Sequence, residues 1–477
     1  MIDDLQTKNF ECDLIAQDYL GDEPALVSSL DFGSLVAQGC GPGPSVLIGD
    51  QSEISLLNSV TAARLDHRMA LLARSGDIVL VRHREAGFEA YLADCLGFHD
   101  VTFMQVDSDP LRPVAQQVRL SQPMLDALAQ TARERGGLTL KAYLTTGNVW
   151  RLAQAIGEVS GVRIHVCGPS PRITLRANDK LWFNQLAQKV IGTNATPPTL
   201  AAYGPAAAAG LARRIGRAAG QVIIKVPDSA GSVGNIRLEG ALLRAMPLQD
   251  LRQLLLDQLH RMGWRDCYPI LVGVWDENVS HSPSVQLWIP HRSNGAPQVE
   301  GIFEQRVRGE TAAFIGAARS ELPASLKEQL GIEARAIARV LQNLGYFGCC
   351  SLDAVICKAS PRVDVIHWIE CNGRWGGVSI PMLVASRLRP GNGLPAIAIV
   401  QEVRRGDMLR TQDFRRLLAD LLLPHRNNGE GLVILSPSEH QRGASVNLLA
   451  VAVTQRGADD LLAQAMQRLA VAHTGRG

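Results

Sequence analysis

The chain has 477 residues, 46% of them apolar and 20% charged, with a formal charge of +2. That is the composition of a globular soluble protein of roughly three domains. It leaves no electrostatic footprint for nucleic acid or an anionic membrane, and no run approaches the ~20 apolar residues that span a bilayer. Nine cysteines, scattered and odd in number, read as reduced thiols in a cytoplasm. The acidic, polar start lacks a secretory leader, so a cytoplasmic protein is expected.

From the start, short apolar runs alternate with helical patterns. Residues 45–49, 78–82, 101–105, 138–142 and 163–167 are predicted strands; 56–72, 88–96, 124–135 and 149–159 are predicted helices. Such alternation implies parallel α/β layers. The glycine-rich run 39–43 precedes a strand instead of opening a helix, the reverse of a dinucleotide fingerprint, and reads as a loop. Asn178 or Asp179 can cap a helix whose apolar face is Leu181, Trp182, Leu186 and Val190, stopped by Gly192. By itself Lys180 is a surface lysine in the first turn of that helix. The alanine-rich run 199–220 reads as one helix.

The run 222–226 is β-branched and carries Lys225. A loop with Ser229, Gly231, Ser232 and Gly234 follows, joining it to a second strand. Its glycines let backbone N–H groups approach phosphate oxygens. It is no Walker loop, because no Gly-Lys-Ser/Thr opens a helix. After a helix over 248–262 comes an apolar strand, 268–275. Arg306 and Arg308 alternate along a later strand, either as a solvated face or as a bidentate clamp for a phosphate.

The decisive stretch is 349–381. Two β-rich runs, 351–357 and 363–371, flank a polar turn and read as a hairpin. With the turn near Pro361 and Arg362, Asp353 lies opposite Glu370, and Asn372 shares their face by the period of two. Two carboxylates and a carboxamide aimed at one point beside an apolar sheet call for a cation, and hard oxygen ligands suit Mg²⁺. Arg374 adds a planar fork for phosphate or carboxylate. Beyond 390 further strands and a helix read as a small α/β unit.

Asp353 followed by Glu370-Cys371-Asn372-Gly373-Arg374, with Lys180 and then Lys225 and its glycine loop upstream, resembles the ATP-grasp enzymes. The resemblance covers about half the chain, residues ~175–390. It implies an ATP-grasp fold, two α+β subdomains clasping ATP. That fold would occupy 171–390, with a lid subdomain over about 199–268, after a Rossmann-like domain over 1–170 and before a small α/β domain over 391–477. It further implies that Lys180 and Lys225 contact the nucleotide and that the loop with Ser229, Gly231, Ser232 and Gly234 folds over the triphosphate. The strand near Val274 would bind adenine through its backbone. Where many relatives carry a glutamate this chain has Gly273 or Val274, so Asp276 and Glu277 are the ribose candidates. Asp353, Glu370 and Asn372 would hold Mg²⁺, with Arg374 and Arg306 as catalytic cations. The expected reaction joins a carboxylate donor to an amine acceptor, an amino acid or peptide, through an acyl phosphate, releasing ADP and phosphate. The layout is similar to the peptide ligases of microbial natural-product pathways, the pheganomycin-ligase type. A non-amine acceptor or a nucleotide-binding regulator without turnover is the alternative; a homodimer is one assembly such a chain can form.

Overall fold

The computed structural model describes residues 2–26, 32–57, 65–106, 109, 112–231, 233–310, 312–360, 363–389, 395–405, 409–423, 429–440 and 443–474. Three sheets organise it. The first holds six parallel strands: β1 (Val36–Gln38), β2 (Ser45–Ile48), β3 (Ile78–Val81), β4 (Thr102–Gln105), β5 (Leu138–Ala142) and β6 (Ile164–Val166), in the order β1-β6-β5-β2-β3-β4. The runs Ser-Val-Leu-Ile and Ile-Val-Leu-Val are buried at every position because helices cover both faces of a parallel sheet. All five predicted strands are present. Of the predicted helix over 56–72, residues 58–64 lie outside the described residues, and Asp66–Leu72 is a 3-10 helix with all seven side chains buried. Strand order turns back between β2 and β5, so a crevice opens beyond their carboxyl ends.

The second sheet is antiparallel: β7 (Thr199–Ala202), β8 (Gln221–Lys225), β9 (Asn235–Glu239) and β10 (Ile270–Val274), ordered β7-β10-β8-β9. The reading of 199–220 as one helix is corrected here. Thr199–Ala202 pairs with β10, and the helix spans only Pro205–Ile215. Alanine propensity yields to the strand partner, and proline, tolerated in a helix's first turn, marks its start.

The third sheet has ten strands. They are β11 (Val279–His281), β12 (Pro283–Ile289), β13 (Gln298–Arg308), β14 (Ala313–Arg319), β15 (Gly348–Ser360), β16 (Val363–Asn372), β17 (Ala396–Arg405), β18 (Gly431–Ile434), β19 (Glu439–His440) and β20 (Gly443–Ala452). β14 pairs with β17 and β17 with β20, so the strands after residue 390 continue the sheet that carries the β15–β16 hairpin. One apolar cluster runs from Leu47 and Phe88 of the first layer to Leu448 and Leu462 near the end of the chain. The first α/β layer therefore packs directly on the third sheet.

Candidate active site

Asp353 of β15 lies opposite Glu370 of β16, and Ser351 lies opposite Asn372, the register expected from the sequence. Leu352 and Cys371 between them enter the core. Asp353, Glu370 and Asn372 thereby share the other face. Asn372 Nδ2 donates to Asp353 Oδ2 at 2.9 Å and lies 3.5 Å from Glu370 Oε1. Ser284, opposite Asp353 on β12, donates its hydroxyl to Asp353 Oδ1 at 2.6 Å.

Asp179 caps the helix Lys180–Ile191, accepting from the N–H groups of Leu181 and Trp182. Capping aims Lys180 inward: it is only 7% exposed, its Nζ is 3.1 Å from Glu370 Oε2, and it also donates to the carbonyl of Ser229. The neighbouring Asn178 has a different task, which the sequence did not reveal. It accepts from Gly373 N and from Arg374, and Arg374 also donates to Asn372 Oδ1. The guanidinium is thus held by two neutral carboxamides, which orient its positive charge without cancelling it.

Burial and the nearby Glu370 push the Asp353 carboxyl up to about 7, while Ser284 and Gln305 pull the other way. Burial also works to raise Glu370, but Lys180 and Arg374 outweigh it and hold that carboxyl below its usual value. Burial lowers Lys225 to about 8, with Glu370 opposing. A carboxyl forced toward protonation beside an ionised one marks excess negative charge. The carboxylate oxygens of Asp353 and Glu370 fit a small cation; the Asn372 oxygen accepts from Arg374 and joins them when that amide rotates and gives up its bond to the guanidinium.

Two cavities meet at Asp353, Glu370 and Gln305. One, about 150 Å³, is lined by Lys180, Lys225, Ser229, Val274 and Asp276. The other, about 290 Å³, runs past Gly231 and Arg374 to Arg68, Gln51 and Tyr143 of the first layer. The loop between β8 and β9 roofs the junction. Gly231 and Gly234 take φ of +62° and +88°, left-handed values that glycine adopts without strain. Ser229 donates its hydroxyl to Val226 O, and Ser232 lies outside the described residues.

One expectation needs correction. Arg306 does not face the site. Gln305 and Val307 line the first cavity, whereas Arg306 between them pairs with Asp459 of the C-terminal helix. Period two sends alternate side chains to opposite faces, and Arg308 likewise pairs with Glu402 at 3.1 Å. Val274 does line the cavity, but its N–H is donated to Pro198 O and that of Trp275 to Gln221 O, so neither is an open donor. Asp276 also lines the cavity and is fixed by His367 Nδ1 at 2.9 Å, while Glu277 sits against Gly220. The pairing of His367 with Asp276 and the place of Arg68 on the larger cavity bring together residues distant in sequence, which no local pattern reveals.

Residues 66–158 match the Pre ATP-grasp domain family. Among curated proteins, none matches the chain by sequence. Similar solved structures include biotin carboxylase from Campylobacter jejuni, at 14% identity over 89% of this chain and 91% of that one, with a TM-score of 0.55. An ADP complex of N5-carboxyaminoimidazole ribonucleotide synthetase is 11% identical over 91% of this chain and 98% of that one, TM-score 0.54. The Aspergillus clavatus N5-carboxyaminoimidazole synthase, with ADP and an aminoimidazole ribonucleotide, is 12% identical over 90% and 98%, TM-score 0.53. The chain has the ATP-grasp fold, with an N-terminal pre-ATP-grasp domain.

Proposed function

We propose that this chain, an ATP-grasp fold behind a Pre ATP-grasp domain, is an ADP-forming ligase that joins a carboxylate to an amine. The observation that carries this reading is the convergence of Asp353, Glu370 and Asn372 with Lys180 and Arg374 where two cavities meet. The smaller cavity takes ATP, and the larger takes the acid and the amine. Mg²⁺ held by Asp353, Glu370 and Asn372 would offset the charge of the triphosphate oxygens. Lys180 and Lys225 add fixed positive charge beside the phosphates, and Arg374 orients the attacking carboxylate and then its acyl phosphate. The loop carrying Ser229, Gly231, Ser232 and Gly234 keeps water from that intermediate. Carboxylate attack on the γ-phosphorus releases ADP; the amine then displaces phosphate, forming the amide and shedding a proton. Asp276 is the residue assigned to the ribose.

The donor and acceptor of this reading are an amino acid and a peptide or second amino acid, in a microbial natural-product pathway. A second reading takes bicarbonate as the acid, because the similar structures are carboxylating enzymes by name. An ADP-release assay with pooled amino acids, with and without bicarbonate, separates the two. Release that needs an amine and an organic acid supports the first; release driven by bicarbonate supports the second. Nucleotide binding with no release under either condition removes the ligase.

A pH dependence follows. The cation needs Asp353 ionised, and burial holds that carboxyl near 7. Binding of Mg·ADP is expected to strengthen about tenfold per unit as pH rises toward 7, and to level off above it. Calorimetric titrations between pH 6 and 8 measure this; a flat profile removes Asp353 from the ligand set.

A further inference from the structure

The larger cavity ends at a buried positive charge that nothing in the described protein neutralises. Arg68 is 2% exposed. It donates from Nη1 to Gln401 Oε1 at 2.9 Å and from Nη2 to Asn447 Oδ1 at 3.0 Å, both neutral carboxamide oxygens. Its Nε has no partner among the described residues. Asp66, two residues earlier, is engaged by Arg82, which also binds Asp50. Among the described residues the titratable group that acts on Arg68 is Tyr143, not a carboxylate. Gln51, which lines the same cavity at 4% exposed, likewise leaves its Nε2 unpartnered. Both lie at the crevice beyond β2 and β5, where ligands of open α/β sheets bind.

An unpaired buried guanidinium is costly. Here it is held from two sides by amide oxygens, Asn447 being fixed in turn by Ser436 and Ser445. That arrangement orients the fork and leaves its charge to a visiting anion. The acids that line this cavity, Asp353 and Glu370, belong to the cation site.

We infer that Arg68, with Gln51, receives a second carboxylate of the substrates, the one that is not activated; in a ligase this is the free carboxylate of the amine acceptor. The inference rests on the ligase reading for the cavity's occupant. Arg68 then sets specificity: acids are accepted and the matching amides are refused.

The test uses the full chain with Mg·ADP and two pools, L-amino acids and L-amino-acid amides, each read by thermal unfolding and by ADP release from ATP. Wild-type protein is expected to be stabilised by the acids well beyond the amides. In Arg68→Gln the half-saturating concentration of the acids rises at least tenfold, while Mg·ADP still raises the melting temperature. Gln401→Glu is the second variant. It sets a carboxylate beside Nη1 at nearly constant shape, so its melting temperature holds or rises while acid binding weakens at least tenfold. A merely structural Arg68 predicts that Arg68→Gln lowers the melting temperature and leaves the half-saturating concentration of the acids unchanged. Equal response of wild type to acids and amides, no response to either, or unchanged acid binding in Gln401→Glu overturns the inference, as does stabilisation by ribose 5-phosphate alone. Discrimination between acids and amides that is lost in Arg68→Gln, with no ADP released by wild type, sinks the ligase reading and leaves Arg68 as the seat of a carboxylate.

Discussion

Replacing Glu370 with glutamine is expected to lower ADP release on the order of a thousandfold, the scale seen when a preorganised charge at a transferring group is lost. The change keeps shape and removes a full negative charge. It takes away one of the oxygens proposed to hold the cation and the partner that sits 3.1 Å from Lys180 Nζ. Lys180 is buried, so the substitution also has a stability cost, moderated because its ammonium still donates to the Ser229 carbonyl. A cooperative melt lowered by only a few degrees, together with lost turnover, is the predicted pair of results. Wild-type turnover in Glu370→Gln would remove Glu370 from the site.

Arg374→Lys comes second. The charge survives, but the fork does not. Arg374 now donates to Asn178 and Asn372 together, and a lysine cannot span both while also presenting a parallel pair of N–H groups to a carboxylate. Two charge-assisted bonds of about 1.5 kcal/mol each correspond to roughly a hundredfold in rate. The loss is expected in the rate of a single turnover, with Mg·ADP affinity changed little because the smaller cavity, proposed for the nucleotide, is not lined by Arg374. An equal loss in nucleotide affinity would mean that Arg374 acts on the phosphates in the ground state.

The hairpin could be read from residues alone because its information is local. Strand alternation, a turn signal and a short loop fix which side chains face each other, so Asp353 met Glu370 as expected. The same rule misled at β13. Alternation told correctly that Arg306 and Arg308 share a face, yet which face meets the cavity depends on β14 and the C-terminal helix, and both arginines point away from it. Likewise, alanine content suggested a helix over 199–220, while the pairing with β10 turned Thr199–Ala202 into a strand.

The sequence by itself determined the α/β layering, the facing of Asp353 and Glu370, the capped helix that carries Lys180 and the glycine loop, since each rests on periodicity or on spacing within about twenty residues. Tertiary structure alone decided which carboxamides hold Arg374, how β17 and β20 extend the hairpin's sheet, and that Arg68 ends the larger cavity among Gln401 and Asn447, more than 300 residues away. The physical reason is that burial and charge compensation are sums over everything within a few ångströms. Neighbours in space, unlike neighbours along a strand, are not written in any local repeat.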